Sequence, residues 1–178
     1  MSPSQTIGPF FNYALTTNAN LGHIGGPGTN GDRIRLCLRL LDGDGVPVPD
    51  GMLELWQADS NGVYCHPEDP RHASAEPSFT GFGRLETDHN GVCLFETIRP
   101  GNVGSQSAHI NVTIFARGLL GHLTTRVYFA GDAVDAVLSL VPPERRATLM
   151  AQPDGVEPSQ WNLDIHLQGE HETVFFTL

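Results

Sequence analysis

The sequence contains no lysine. All ten of its basic residues are arginine, set against 20 acidic residues, for a formal net charge of −10. Lacking a basic cluster, the chain has nothing with which to neutralise a phosphate backbone or an anionic lipid surface, which excludes nucleic acid and membrane as partners. The cation it does use is the one suited to gripping carboxylates bidentately. Cysteine is scarce as well. Cys37, Cys65 and Cys93 show no CxxC spacing and are odd in number. Cys37 and Cys93 fall within apolar alternations and read as buried thiols of a reducing compartment, the cytoplasm. No apolar run approaches the ~18 residues of a membrane helix, and the opening MSPSQTIGPFF lacks the basic and apolar regions of a signal peptide. There is no GxSxG for a serine nucleophile, and Gly25-Gly26-Pro27-Gly28 does not join a strand to a helix as a phosphate loop does.

What remains is a chain of 178 residues, enough for one domain with a sizeable core. Residues 1–31 are rich in Gly, Pro, Asn and Thr and hold Phe10, Phe11 and Tyr13 without periodicity. They read as a long irregular N-terminal arm packed on a partner subunit, with residues 32–178 as the domain proper. Alternation of apolar and polar residues predicts strands at 33–41, 51–58, 83–87, 92–97, 109–116, 123–129, 161–167 and 173–178. Asp42-Gly43-Asp44-Gly45 and Asp59-Ser60-Asn61-Gly62 mark turns, and Asp88-His89-Asn90-Gly91 reads as the turn of a hairpin. Only residues 133–151 look helical, with Pro142-Pro143-Glu144 suited to open a helix at its first turn. The expected fold is therefore mainly β: an antiparallel β-sandwich with a short helical segment and the arm.

Chemistry concentrates at Ala108–Phe115. On a strand, His109, Asn111 and Thr113 share one face while Ile110, Val112 and Ile114 share the other. Side chains two residues apart project in parallel, about 6.5–7 Å apart, a spacing that metal sites on strands use. Asparagine is a poor ligand, because its amide oxygen is neutral and iron or zinc prefer imidazole, thiolate or carboxylate. Taken alone, a strand histidine is more often a hydrogen-bonded core residue than a ligand. Arg117, where this strand runs into Gly118, and Arg126, on the polar face of the next strand, are the second candidates; pointed into a cleft, either suits a substrate carboxylate. His66 and His72 flank Glu68 and Asp69 in what reads as a solvated loop.

Four segments then resemble a known family in order and spacing: Leu55-Trp56-Gln57-Ala58-Asp59-Ser60-Asn61-Gly62-Val63-Tyr64, Gly81-Phe82-Gly83-Arg84, Thr97-Ile98-Arg99-Pro100-Gly101 and Ala108-His109-Ile110-Asn111. The family is the intradiol ring-cleaving dioxygenases, and the resemblance runs nearly end to end. Pro3 to Phe10, Phe115-Ala116-Arg117-Gly118 and Gln168 to Phe176 are similar to the α subunits of its protocatechuate-cleaving branch. The family holds a non-haem Fe(III) with two tyrosinates and two histidines. The resemblance places Tyr64 on the first tyrosine and His109 on the first histidine, but Val103 where the second tyrosine belongs and Asn111 where the second histidine belongs. Valine offers no lone pair, and a hard trication needs the anionic oxygens that are missing.

The resemblance thus implies four vestigial metal-site positions, no iron bound by this chain and no catalytic residue in it. Fe(III) would belong to a partner β subunit in a hetero-oligomer of αβ units. Thr6, Gly8 and Pro9 of the arm, together with Arg117, would complete that partner's pocket, with Arg117 steering the carboxylate of a small aromatic acid. Two other readings stay open: a self-sufficient intradiol dioxygenase with replacement ligands such as His66 or His72, and a non-enzymatic β-sandwich binding module. Against the second, Trp56 and Trp161 lie in strand patterns that suggest core, not an exposed platform.

Overall fold

Burial follows the alternation. Along β1 (Arg33–Leu41), Ile34, Leu36, Leu38 and Leu40 are buried while Arg33 and Arg39 are exposed. The computed structural model describes Thr6, Gly8 and residues 13–131 and 135–177. After β1 come β2 (Met52–Gln57), β3 (Phe82–Glu86), β4 (Val92–Ile98), β5 (His109–Phe115), β6 (Leu123–Phe129), β7 (Met150–Pro153) and β8 (Gln160–His166). They form one eight-stranded sheet in the order β3-β2-β5-β6-β7-β8-β1-β4. Its two edges, β3 and β4, come back alongside one another, where the Cys93 thiol lies 3.7 Å from the Leu85 carbonyl oxygen.

The fold is therefore mainly β, as expected, but the arrangement is a single nearly closed sheet where an antiparallel sandwich was expected. Nor is it wholly antiparallel, since β1 runs parallel to β8 and β6 parallel to β7. The turn at 88–91 forms, its Asp88 carboxylate accepting the N–H groups of Asn90 and Val92 at 2.8 Å each. The expected hairpin does not. β4 stays in register with β1 from Arg33↔Ile98 to Arg39↔Val92, and β3 pairs with β2. Each strand thereby forms its ladder with a longer apolar neighbour.

Leu36, Leu38, Leu53, Leu55, Phe95, Ile110, Val112 and Phe129 meet in one core inside this sheet, where a Leu→Ala change costs about 2–5 kcal/mol. Of the expected helical segment, Ala136–Ser139 is an α-helical turn capped by Asp135 and Pro143–Leu149 is a 3-10 helix. Residues 173–177 make no ladder; Thr125 donates its hydroxyl to Val174 and the Phe176 N–H bonds to Thr124. Ile24, 1% exposed, joins the core, with its N–H on Glu96. No helix among the described residues is long and apolar enough to cross a membrane.

Candidate functional site

Tyr64 owes its place to a carboxylate and a glycine. Beyond β2, the fully buried Asp59 accepts the N–H groups of Asn61 (2.8 Å), Val63 (3.0 Å) and Glu76 (3.1 Å). Gly62 sits at φ 74°, and a Cβ there would collide with the carbonyl oxygen of Asn102. The turn thus presses against the 101–106 loop, and Tyr64 emerges with its N–H on Asp69 at 3.0 Å. Its ring stacks on Trp56 with centroids 5.8 Å apart. Arg71 and the Tyr64 N–H pull the Asp69 carboxyl down to about 2.

β5 supplies the opposite wall. His109 is 1% exposed, and its Nδ1 lies 2.8 Å from the Ser107 carbonyl oxygen. That nitrogen carries the proton, leaving the lone pair on Nε2. Burial pushes the imidazole below its ordinary 6.5. Two residues along the same face, Asn111 directs its amide Nδ2 at the Tyr64 hydroxyl and the Trp56 carbonyl, both at 3.4 Å. Burial raises the Tyr64 phenol, although Asn111 and the Arg126 charge act the other way, so a neutral phenol faces the amide. Arg126, cross-strand partner of Asn111, donates Nη1 to Gln106 (2.8 Å) and reaches the Tyr128 hydroxyl at 3.4 Å. The buried Tyr128 ring lies 5.9 Å from that of His109. Val103 closes a tight turn with Gln106 through paired main-chain bonds of 3.1 and 3.0 Å.

This donor set does not fit a ferric ion. It offers one imidazole lone pair and one phenol, beside an amide that donates hydrogen and a guanidinium. No group of three His, Cys, Asp or Glu side chains able to hold a metal occurs among the described residues. His66 meets Trp56 edge-on at 6.0 Å and accepts the Glu68 N–H, while His72 opens a 3-10 turn. A cavity of about 480 Å³ lies between Trp56, Tyr64 and the 66–71 loop. A larger depression, about 800 Å³, opens on the outer face of β1 and β8, away from Tyr64 and His109. Its guanidinium, Arg39, is already held by Asp164.

The remaining candidates gather past the other end of β5. Arg117 pairs through Nη2 with Asp50 Oδ2 at 2.6 Å, and the Gly118 N–H donates to the Thr6 hydroxyl at 2.7 Å. Thr6 and Arg117 are thus brought together. Gly8 is exposed, and Pro9 lies outside the described residues. Sequence reasoning passed over Gln106, Tyr128 and Asp135, whose buried carboxylate accepts the Ser107 and Leu138 N–H groups at 2.8 Å. Tyr128 carried a signal: it lies two residues beyond Arg126, the same parity that links His109 to Asn111.

The Dioxygenase_C family, described as dioxygenase, matches residues 8–169. The chain is 41% identical over 193 residues to the protocatechuate 3,4-dioxygenase alpha chain of Burkholderia cepacia, spanning 98% of this chain and 96% of that one. The chain belongs to the intradiol dioxygenase family. Another family member, the protocatechuate 3,4-dioxygenase beta chain of the same organism, is 33% identical over 159 residues, spanning 84% of this chain and 66% of that one. The solved intradiol ring-cleavage dioxygenase of Tetranychus urticae shares the fold, with a TM-score of 0.62 at 21% identity, covering 97% of this chain and 98% of that one. The eight-stranded sheet is thus the intradiol dioxygenase fold.

Proposed function

We propose that this chain is the iron-free α subunit of a protocatechuate 3,4-dioxygenase, forming part of the substrate pocket of a β subunit that holds Fe(III). One observation carries the reading. In a chain similar to an alpha chain along nearly its whole length, the residues around Tyr64 and His109 offer one imidazole and one phenol, with Asn111 donating and Arg126 adding positive charge. Tyr64, Val103, His109 and Asn111 are then vestigial metal positions, and no catalytic residue lies in this chain.

Binding and orienting fall to the other end. Thr6, Gly8 and Pro9 line the partner's pocket with backbone and small side chains, and the first part of the 1–31 arm packs on that partner. Arg117 meets the carboxylate of the aromatic acid by a charge-assisted hydrogen bond. The partner's iron, when bound, supplies the oxygen chemistry that opens the ring between the two hydroxyl-bearing carbons to give 3-carboxy-cis,cis-muconate. The three free cysteines suit a reducing cytoplasm.

Co-expression with the β chain tests the proposal through iron content and oxygen uptake with protocatechuate. The expected result is one iron per αβ pair and turnover that requires both chains. Near-stoichiometric iron in this chain purified alone, or turnover by it without a partner, overturns the reading.

A further inference from the structure

Asp50 is the one non-glycine residue with a positive φ, 60°, among the described residues. It lies in the turn that leads through Gly51 into β2, a backbone position where glycine is under less strain. Its carboxylate nevertheless reaches the Arg117 guanidinium, Oδ2 to Nη2 at 2.6 Å. The β2–β5 register explains the meeting. Met52 lies opposite Phe115, and Asp50 and Arg117 each stand two residues beyond that last pair. Only Nη2 of Arg117 is engaged; Nε and Nη1 have no acceptor among the described residues. The neighbouring Gly118 N–H donates to the Thr6 hydroxyl at 2.7 Å.

We infer that Asp50 is a positioning residue for recognition of the substrate carboxylate: it holds Arg117 by one nitrogen and leaves the others turned to the incoming acid. The inference rests on the reading that Arg117 meets the substrate. An arginine left free in solvent occupies many rotamers, and fixing it at the moment of binding opposes affinity. Asp50 fixes it beforehand. The same carboxylate repels an approaching acid, but the side chains of Arg117 and Asp50 are 61% and 45% exposed, and water and salt screen a repulsion acting across the width of a guanidinium. Preorganisation outweighs repulsion here, for a gain of about threefold in substrate affinity. It acts only on aromatic substrates that carry an acid group.

The test uses the assembled αβ complex and the variants Asp50→Asn, Arg117→Ala and the double variant. Asparagine tolerates the left-handed backbone and removes only the charge. Asp50→Asn is expected to raise KM for protocatechuate about threefold with kcat unchanged. It should leave the inhibition constant of carboxylate-free catechol alone and add nothing in the Arg117→Ala background. If Arg117→Ala raises KM but Asp50→Asn leaves it unchanged or lowers it, the positioning role is overturned and the Arg117 reading stands. An equal loss for catechol marks a merely structural effect and also overturns it. Unchanged KM in Arg117→Ala removes the reading itself, and the inference with it.

Discussion

The two ends of β5 have kept opposite things. At the His109 end Tyr64, His109 and Asn111 present one phenol, one imidazole lone pair and an amide that donates hydrogen, all held by packing and hydrogen bonds. At the Arg117 end there is charge with little structural demand for it. The Arg117–Asp50 pair is largely exposed, and such pairs contribute only about 0–1 kcal/mol to stability. Burial explains the contrast. Buried residues stay in place because packing and hydrogen bonds hold them, whether or not they handle a ligand. An exposed arginine with spare donors is not required by the fold.

If that contrast is right, damage at one end should register in stability and damage at the other in substrate affinity. The largest effect belongs to Asp135→Ala. It strips the acceptor from two buried N–H groups, Ser107 and Leu138, and should lower unfolding free energy by about 3 kcal/mol with KM unaltered; a risen KM would merge the two ends. Next comes Arg117→Ala, expected to raise KM for protocatechuate roughly tenfold, as loss of a charge-assisted hydrogen bond does, with stability within about 0.5 kcal/mol of the parent. An unmoved KM breaks the comparison from the other side.

A smaller effect is set by pH. The His109 imidazole is held below 6.5 by burial, so the unfolded chain binds its proton first as pH falls. The stabilising contribution is complete above that value and declines as the pH drops below it. Denaturation at pH 5.5 and 7.5 should show the loss, and His109→Gln should flatten it. Smallest is Tyr64→Phe, which removes the hydroxyl facing Asn111 at 3.4 Å. Stability should shift by less than about 1 kcal/mol, and iron content and kcat of the complex should not move. Iron lost in this variant would mean that the Tyr64 end handles metal.

How much of this was legible in the sequence depends on where each signal lives. β1 and β6 are found to the residue: local alternation records the buried face of β1, while β6 ends in the buried run Val127-Tyr128-Phe129. β7 is hidden: Met150-Ala-Gln-Pro153 has no β-branched residue and follows a 3-10 helix, so pairing with β6 and β8 makes it a strand. Residues 173–178 err the other way, with strand-like composition but no ladder among the described ones. Pairing between distant segments leaves no local trace, which is why the parallel β1–β8 contact and the absent hairpin escaped. Tyr64, His109 and Asn111 were readable from strand parity and family resemblance. Of the Gln106–Arg126–Tyr128 cluster only Arg126 was named, because its meeting with Asn111 depends on the cross-strand register and Gln106 lies in a loop.

The β1–β8 pairing also bears on synthesis. Arg39 and Asp164, bonded across it, are 125 residues apart, so a ribosome displays the leucine row of β1 long before its parallel neighbour exists. Until β8 emerges, that row has an unpaired flank open to strand addition by other nascent chains. Completion of the sheet on that flank therefore waits for β8, and a product ending short of Gln160 would leave the flank exposed.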